Sequence, residues 1–170
     1  LGLVAGKRVL AGSIRRGDGD RIRSIVWVSD LRGFTLLADR LGGDDMTALL
    51  NAYFEVVVGS ILEAGGDVLK FIGDGLLAVF PIDRFADEAA AAEAALTAAE
   101  TALSRLDALN ADPEALPGIE GWRPLKNGIA LHYGDVFFGN VGAPARLDFT
   151  VIGRAVNMAA RLEALAKDLG

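Results

Sequence analysis

The stretch that most constrains this chain is Val68–Phe80, VLKFIGDGLLAVF. Two short runs of Val, Leu, Ile and Phe flank Gly73-Asp74-Gly75, and Asp-Gly between β-type runs is a strong hairpin signal. A carboxylate therefore sits at a hairpin tip, with glycine on either side leaving room for a ligand to approach the backbone. Lys70, four residues earlier, is the odd residue on an otherwise apolar strand. Alone, such a hairpin is a plain turn with a solvated Asp, because Gly and Asp are what turns are made of. Chemistry here requires a partner.

The partner lies upstream in SIVWVSDLRGFT, residues 24 to 35. Ile25, Val26, Trp27 and Val28 read as a buried strand. Asp30 follows its end, and the next loop carries Gly33, which lets backbone N–H groups turn toward an anion. Two Asp residues on adjacent strand ends beside a glycine-bearing loop suit a pair of hard divalent cations, Mg²⁺ or Mn²⁺, and a polyphosphate.

Composition narrows the alternatives. The chain has 170 residues, 52% hydrophobic and 24% charged, which fits one folded domain with a real core. It has no cysteine, so disulfides and thiolate metal sites are excluded and carboxylates must do any metal work. The single histidine, His132, alternates with Ile129, Leu131 and Tyr133 in an apparent strand and is read as an ordinary strand residue, which argues against a Ser-His-Asp triad. Net charge is −6. Residues 1–25 carry six Lys/Arg against two Asp, or +4, so the rest carries −10. An acidic body argues against nucleic-acid binding.

Residues 1–23 are read as a lead-in hairpin. It has a short strand over Gly6–Ile14 and a solvated turn bearing Arg15, Arg16, Arg21 and Arg23. No apolar run reaches the roughly 20 residues needed to span a bilayer, and no signal-peptide pattern opens the chain. The expectation is a cytoplasmic domain without membrane contact. A start at Leu1 and a stop inside a helical pattern suggest a piece of a longer parent, with a regulatory domain elsewhere and a membrane anchor left open.

Farther along, Gly42-Gly43-Asp44-Asp45 separates two helices, with Asp44 as N-cap of the second. The string resembles the GGDEF signature of diguanylate cyclases, but it precedes a helix instead of sitting on a hairpin and is discounted. Leu49, Leu50, Tyr53, Phe54, Val57, Ile61 and Leu62 give that helix one broad apolar face, ended by Gly65-Gly66. Phe85, Ala89, Ala92, Leu96, Ala99, Leu103 and Leu106 mark the stripe of an alanine-rich helix. Residues 110–124, with three prolines, read as an exposed connection. Strands at Asn127–Tyr133 and Val136–Val141, around Gly134-Asp135, precede a strand at Asp148–Ile152 and a helix from about Arg154 to Lys167. The order fits an α+β, ferredoxin-like βαββαβ sandwich with helices on one sheet face. The other face is then free to become a subunit interface, so a dimer is expected. On the last helix Asn157 and Arg161, four apart, share a face suited to orienting a hydroxyl and holding charge on a phosphate.

Taken together, SDLRGFT (29–35), LKFIGDGLLAVF (69–80), GIALHYGDVFFGNVG (128–142) and LDFTVIGRAVNMAARLE (147–163) resemble the catalytic domain of class III adenylyl cyclases. The likeness covers most of residues 6–170. It implies that Asp30 and Asp74 bind two divalent cations together with the Leu31 carbonyl, and that Gly33, Phe34 and Thr35 receive the nucleotide phosphates. It also implies that Lys70 and Thr150 read the purine. A Lys/Thr pair resembles the bacterial adenine-reading set, where guanylyl cyclases typically carry Glu and Cys, so ATP is favoured over GTP. Asn157 matches the ribose-orienting residue, Arg161 the transition-state arginine, and Arg146 a phosphate contact from the metal-bearing subunit. The implied reaction makes 3′,5′-cyclic AMP and pyrophosphate from ATP in a homodimer whose sites combine residues of both subunits.

Two departures stand out. Arg154 replaces a residue commonly acidic or Asn in the family, and the family domain runs on past this helix to a triphosphate-gripping lysine for which Lys167 is too early. The alternatives are a cyclase-like nucleotide-binding or dimerisation module without turnover, and a guanylate cyclase.

Overall fold

The computed structural model describes residues 19–122, 124–143 and 146–169, with side chains excluded at 142–149 and 168–169. The expected strand over Gly6–Ile14, together with Arg15 and Arg16, lies outside the described residues.

Four antiparallel pairings join five strands into one sheet: β1 (Gly19–Leu31), β2 (Asp67–Ile72), β3 (Gly75–Pro81), β4 (Asn127–Ala143) and β5 (Arg146–Ile152), in the order β2-β3-β1-β4-β5. The helices are α1 (Phe34–Ala38), α2 (Gly43–Glu63), α3 (Glu88–Ala111) and α4 (Arg154–Leu169), with a 3₁₀ turn at Ile82–Arg84. The first four strands stand in the ferredoxin-like order expected from the sequence, with β1 central because it is apolar on both faces.

Alternation along β1 divides the core. Ile25, Trp27 and Leu31 join Ala78 and Phe80 under α2 and α3, packing against Leu49, Tyr53, Val57 and Ile61. Val26 points the other way and meets Leu77, Val79, Val136, Phe138 and Val151, with Ala155 and Ala159 of α4 on top. Helices therefore cover both faces, which corrects the expectation of one open face. The second face offers glycine where α4 crosses: a Cβ at Gly134 would lie 2.8 Å from that of Ala155.

Several local readings are corrected. Asp44 lies inside the first turn of α2, whose N-cap is Gly42, so it acts through its charge at the positive helix end and not as a cap. β1 begins at Gly19, so Arg21 and Arg23 belong to a strand and not to a solvated turn; Arg23 pairs with Glu88 of α3. β4 runs unbroken through Gly134-Asp135, because residues 134–139 continue the ladder against residues 19–24. His132 sits in that ladder opposite Val26, as expected.

The stripe of α3 is also displaced. Its buried residues are Ala91, Ala95, Ala98, Ala102 and Leu106, whereas Leu96 is 56% and Leu103 43% exposed. Small alanines let the helix come close to its neighbours, and that decides the rotation over the larger hydrophobicity of leucine. Asp87 caps this helix by accepting from the Ala90 N–H at 2.8 Å. Within residues 110–124, the Asn110 side chain donates to the Leu125 carbonyl and accepts from its N–H, both at 2.8 Å. Trp122 and Leu125 are buried, so the end of the connection is anchored. By length and composition α2 is apolar enough to cross a membrane, contrary to the reading of the runs; here it packs a buried face on the sheet.

Candidate active site

Asp30 pairs directly with Gly75 in the β1–β3 ladder, and Ile72 pairs with Gly75 across the β2–β3 turn. The two central turn residues are thus Gly73 and Asp74, with Gly73 at φ 61, a conformation glycine adopts without steric cost. Gly75 belongs to the strand. A side chain there would run into the Ser29 carbonyl and approach Asp30 Oδ1, so glycine at 75 is what lets the two Asp-bearing ends close together. The Leu31 N–H donates to the Asp74 carbonyl at 3.4 Å, tying them further.

The carboxylates interact. Burial pushes the Asp74 carboxyl above its ordinary range, and the charge of Asp30 and a hydrogen bond with it push the same way, while Lys167 opposes them. A carboxyl whose proton affinity is raised by burial and by a second acidic group beside it marks a site whose charge a cation would relieve. Among the described residues no cluster of three or more His, Cys, Asp or Glu side chains exists, so Asp30 and Asp74 are the carboxylate donors on offer. Oxygen donors without sulfur or imidazole fit Mg²⁺ or Mn²⁺.

Gly33 takes φ 72 and caps α1, whose Leu36 and Leu37 N–H groups donate to the Gly33 carbonyl. The N–H groups of Phe34 and Thr35 stand at the start of the helix, where no intrahelical acceptor exists. Lys70 is opposite Leu77 and so lies on the same sheet face as Asp30, beyond a bulge between Val68 and Lys70. Thr150 pairs with Gly139. Its hydroxyl is buried with no hydrogen-bond partner among the described residues, and β5 comes back against β2, the strand of Lys70. Arg146 opens β5, and its side chain lies outside what is described.

Asn157 and Arg161 are exposed on α4, away from Ala155, Ala159 and Glu163, which are buried. The structure thus assembles Asp30, Leu31 and Asp74 within the chain and leaves Asn157 and Arg161 facing outward.

Three contributors were missed in the sequence. Lys167 Nζ lies 3.6 Å from Asp30 Oδ2. Arg32 Nη1 lies 2.6 Å from Glu163 Oε1, in an ion pair well shielded from solvent. The Tyr53 hydroxyl donates to Asn127 Oδ1 at 2.8 Å, fastening α2 to the residue paired with Leu31. Burial pushes that phenol well above its ordinary value. Glu163 and Lys167 are four apart, a spacing that signals a shared face, but nothing in the sequence says what that face meets.

A central β1 flanked by β3 and β4, with paired carboxylates where β1 meets the β2–β3 turn, defines the fold of class III nucleotide cyclases. The adenylyl cyclase CyaB from P. aeruginosa superposes with a TM-score of 0.77 at 33% identity, over 86% of this chain and 74% of that one. The guanylyl cyclase Cya2 superposes with a TM-score of 0.74 at 31% identity, over 86% and 72%. An adenylate cyclase of Anabaena cylindrica is 34% identical over 158 residues, 93% of this chain but 30% of that protein's length. Residues 23–169 match the family described as the adenylate and guanylate cyclase catalytic domain, and the chain belongs to that family.

Proposed function

We propose that this domain is an adenylate cyclase: it converts ATP to 3′,5′-cyclic AMP and pyrophosphate in a homodimer with composite sites. The observation that carries the reading is the closure of Asp30 on the turn that carries Asp74, through the Asp30–Gly75 pairing and the Leu31 N–H to Asp74 carbonyl contact at the end of β1.

Asp30 and Asp74, with the Leu31 carbonyl, would hold two divalent cations. When bound, these supply neutralisation of the polyphosphate and acidify the ribose 3′-hydroxyl. Phe34 and Thr35 N–H groups, presented by the positive φ of Gly33, receive phosphate oxygens. Lys70 and the Thr150 hydroxyl, buried without a hydrogen-bond partner among the described residues, read the adenine edge. Asn157 and Arg161 face outward, and together with Lys70 and Thr150 they serve the site whose metal-holding Asp residues come from the other subunit. Asn157 orients the ribose, and Arg161 holds the charge that grows on the transferring phosphoryl group. The 3′-oxygen bonds to the α-phosphorus, the bond from that phosphorus to the bridging oxygen breaks, and the hydroxyl proton leaves to water or a substrate oxygen. A homodimer holds two such sites.

A guanylate cyclase is the second reading, favoured by the similarity to Cya2; Lys70 opposes it. The test is cyclic nucleotide formation by the purified dimer with ATP or GTP and Mg²⁺ or Mn²⁺. Cyclic AMP in excess supports the proposal, excess cyclic GMP supports the second reading, and neither product leaves a binding module.

A further inference from the structure

Arg32 follows the Asp30–Leu31 pair, and three contacts fix it. Its N–H donates to the Lys126 carbonyl at 2.7 Å. Its guanidinium lies against Gly128, where a Cβ would overlap Nη2, Cζ and Nε together. Its Nη1 meets Glu163 at 2.6 Å in an ion pair without the alignment of a linear hydrogen bond. Glu163 is only 8% exposed, and a carboxylate so buried is held by its partner.

Glu163 is two residues from Arg161, on the same helix. One end of the tie is therefore the residue directly after the end of β1 that carries Asp30 and Leu31, and the other is the helix that presents Asn157 and Arg161. On the composite-site reading proposed above, these two ends belong to different sites of the dimer.

We propose that Arg32 and Glu163 are positioning residues that couple the two sites: their buried ion pair braces the carboxylate-bearing end of β1 at one site against the helix delivering Arg161 to the other. A shift of α4 on engaging nucleotide in one site is thereby felt at Asp30 in the other. The pair joins the residue after β1 to α4, beside the exposed contact of Lys167 with Asp30.

The test has two arms. In the first, Mn²⁺ alone is titrated into the intact dimer and followed by electron paramagnetic resonance. Glu163→Gln keeps shape but removes the charge and should weaken Mn²⁺ binding by about tenfold, because Arg32, next to the ligand-bearing Asp30 and Leu31, loses its anchor, while Glu163→Asp restores part of it. Gly128→Ala, which leaves both partners in place but displaces the guanidinium, should do the same. In the second arm, Asp74→Ala and Arg161→Ala chains are mixed so that one working site forms. Glu163→Gln in the Arg161→Ala chain should raise the Mn²⁺ requirement. In the Asp74→Ala chain it should lower kcat by roughly tenfold at unchanged Mn²⁺ requirement, because it disturbs only the delivery of Arg161. Unchanged Mn²⁺ affinity, or equal losses in both placements tracking a lower melting temperature, overturns the brace. No activity in the mixed pair before Glu163 is altered, with subunit exchange demonstrated, overturns the composite sites instead.

Discussion

Lys167 Nζ stands 3.6 Å from Asp30 Oδ2, one helical turn after the buried Glu163. The lysine side chain is largely exposed, so the pair is screened by water and is worth at most about 1 kcal/mol. A cation arriving at Asp30 must displace it. Lys167→Ala should therefore tighten Mn²⁺ binding to the nucleotide-free protein, by no more than about fivefold. Calorimetric titration checks this. Weaker binding would mean that the lysine supports the site and does not compete for it.

The raised proton affinity of Asp74 has a definite sign. A carboxyl whose folded pKa lies above its unfolded value adds stability that is present below the unfolded value and is lost as pH rises through the folded one. The metal-free protein should thus lose part of its stability as pH rises through and above the normal carboxylate range. Asp74→Asn should lose less over the same window. Urea unfolding in chelator across that range measures both, and parallel curves would mean that burial and Asp30 do not perturb the Asp74 carboxyl. In the catalytic assay the same variant, like Asp30→Ala and Asp74→Ala, should be inactive while its circular dichroism remains native.

Gly75 is where Asp30 meets its cross-strand neighbour. Gly75→Ala places a methyl group against the Ser29 carbonyl, which belongs to the strand backbone and cannot swing aside. The expected cost is about 1–3 kcal/mol, read as a lower denaturant midpoint at unchanged slope, with Mn²⁺ affinity falling as the strand ends part. A variant with native stability and affinity would show that this closure is not needed.

Purine choice should follow Lys70 and Thr150. Lys70→Glu with Thr150→Cys exchanges the proposed adenine-reading pair for the type associated with guanine, and the ratio of GTP to ATP turnover should rise by at least about tenfold, as expected when hydrogen-bonding groups in a site are mismatched to the substrate. Competitive assays with both nucleotides report it. An unchanged ratio at measurable activity would place purine reading elsewhere.

The hairpin at Asp74, the strand through Trp27 and the amphipathic face of α2 were all readable, because each rests on local periodicity or on turn chemistry that nearby residues dictate. The α3 stripe was not. Hydrophobicity alone ranks Leu96 and Leu103 as core, but the helix turns its alanines inward because only small side chains permit that close approach. Likewise Gly134-Asp135 has the composition of a turn, yet pairing with residues 23 and 24 keeps it extended.

The residue types at the candidate site were set by the sequence: two carboxylates, a glycine loop, an amide and a guanidinium, in an order that marks the family. Their arrangement was set by tertiary structure. Whether Asp30 faces Asp74 depends on the β1–β3 register, and whether Arg161 faces outward depends on how α4 seats Ala155, Ala159 and Glu163 on the second sheet face. Register and helix rotation are settled by packing between segments distant in the chain, and no local pattern encodes them.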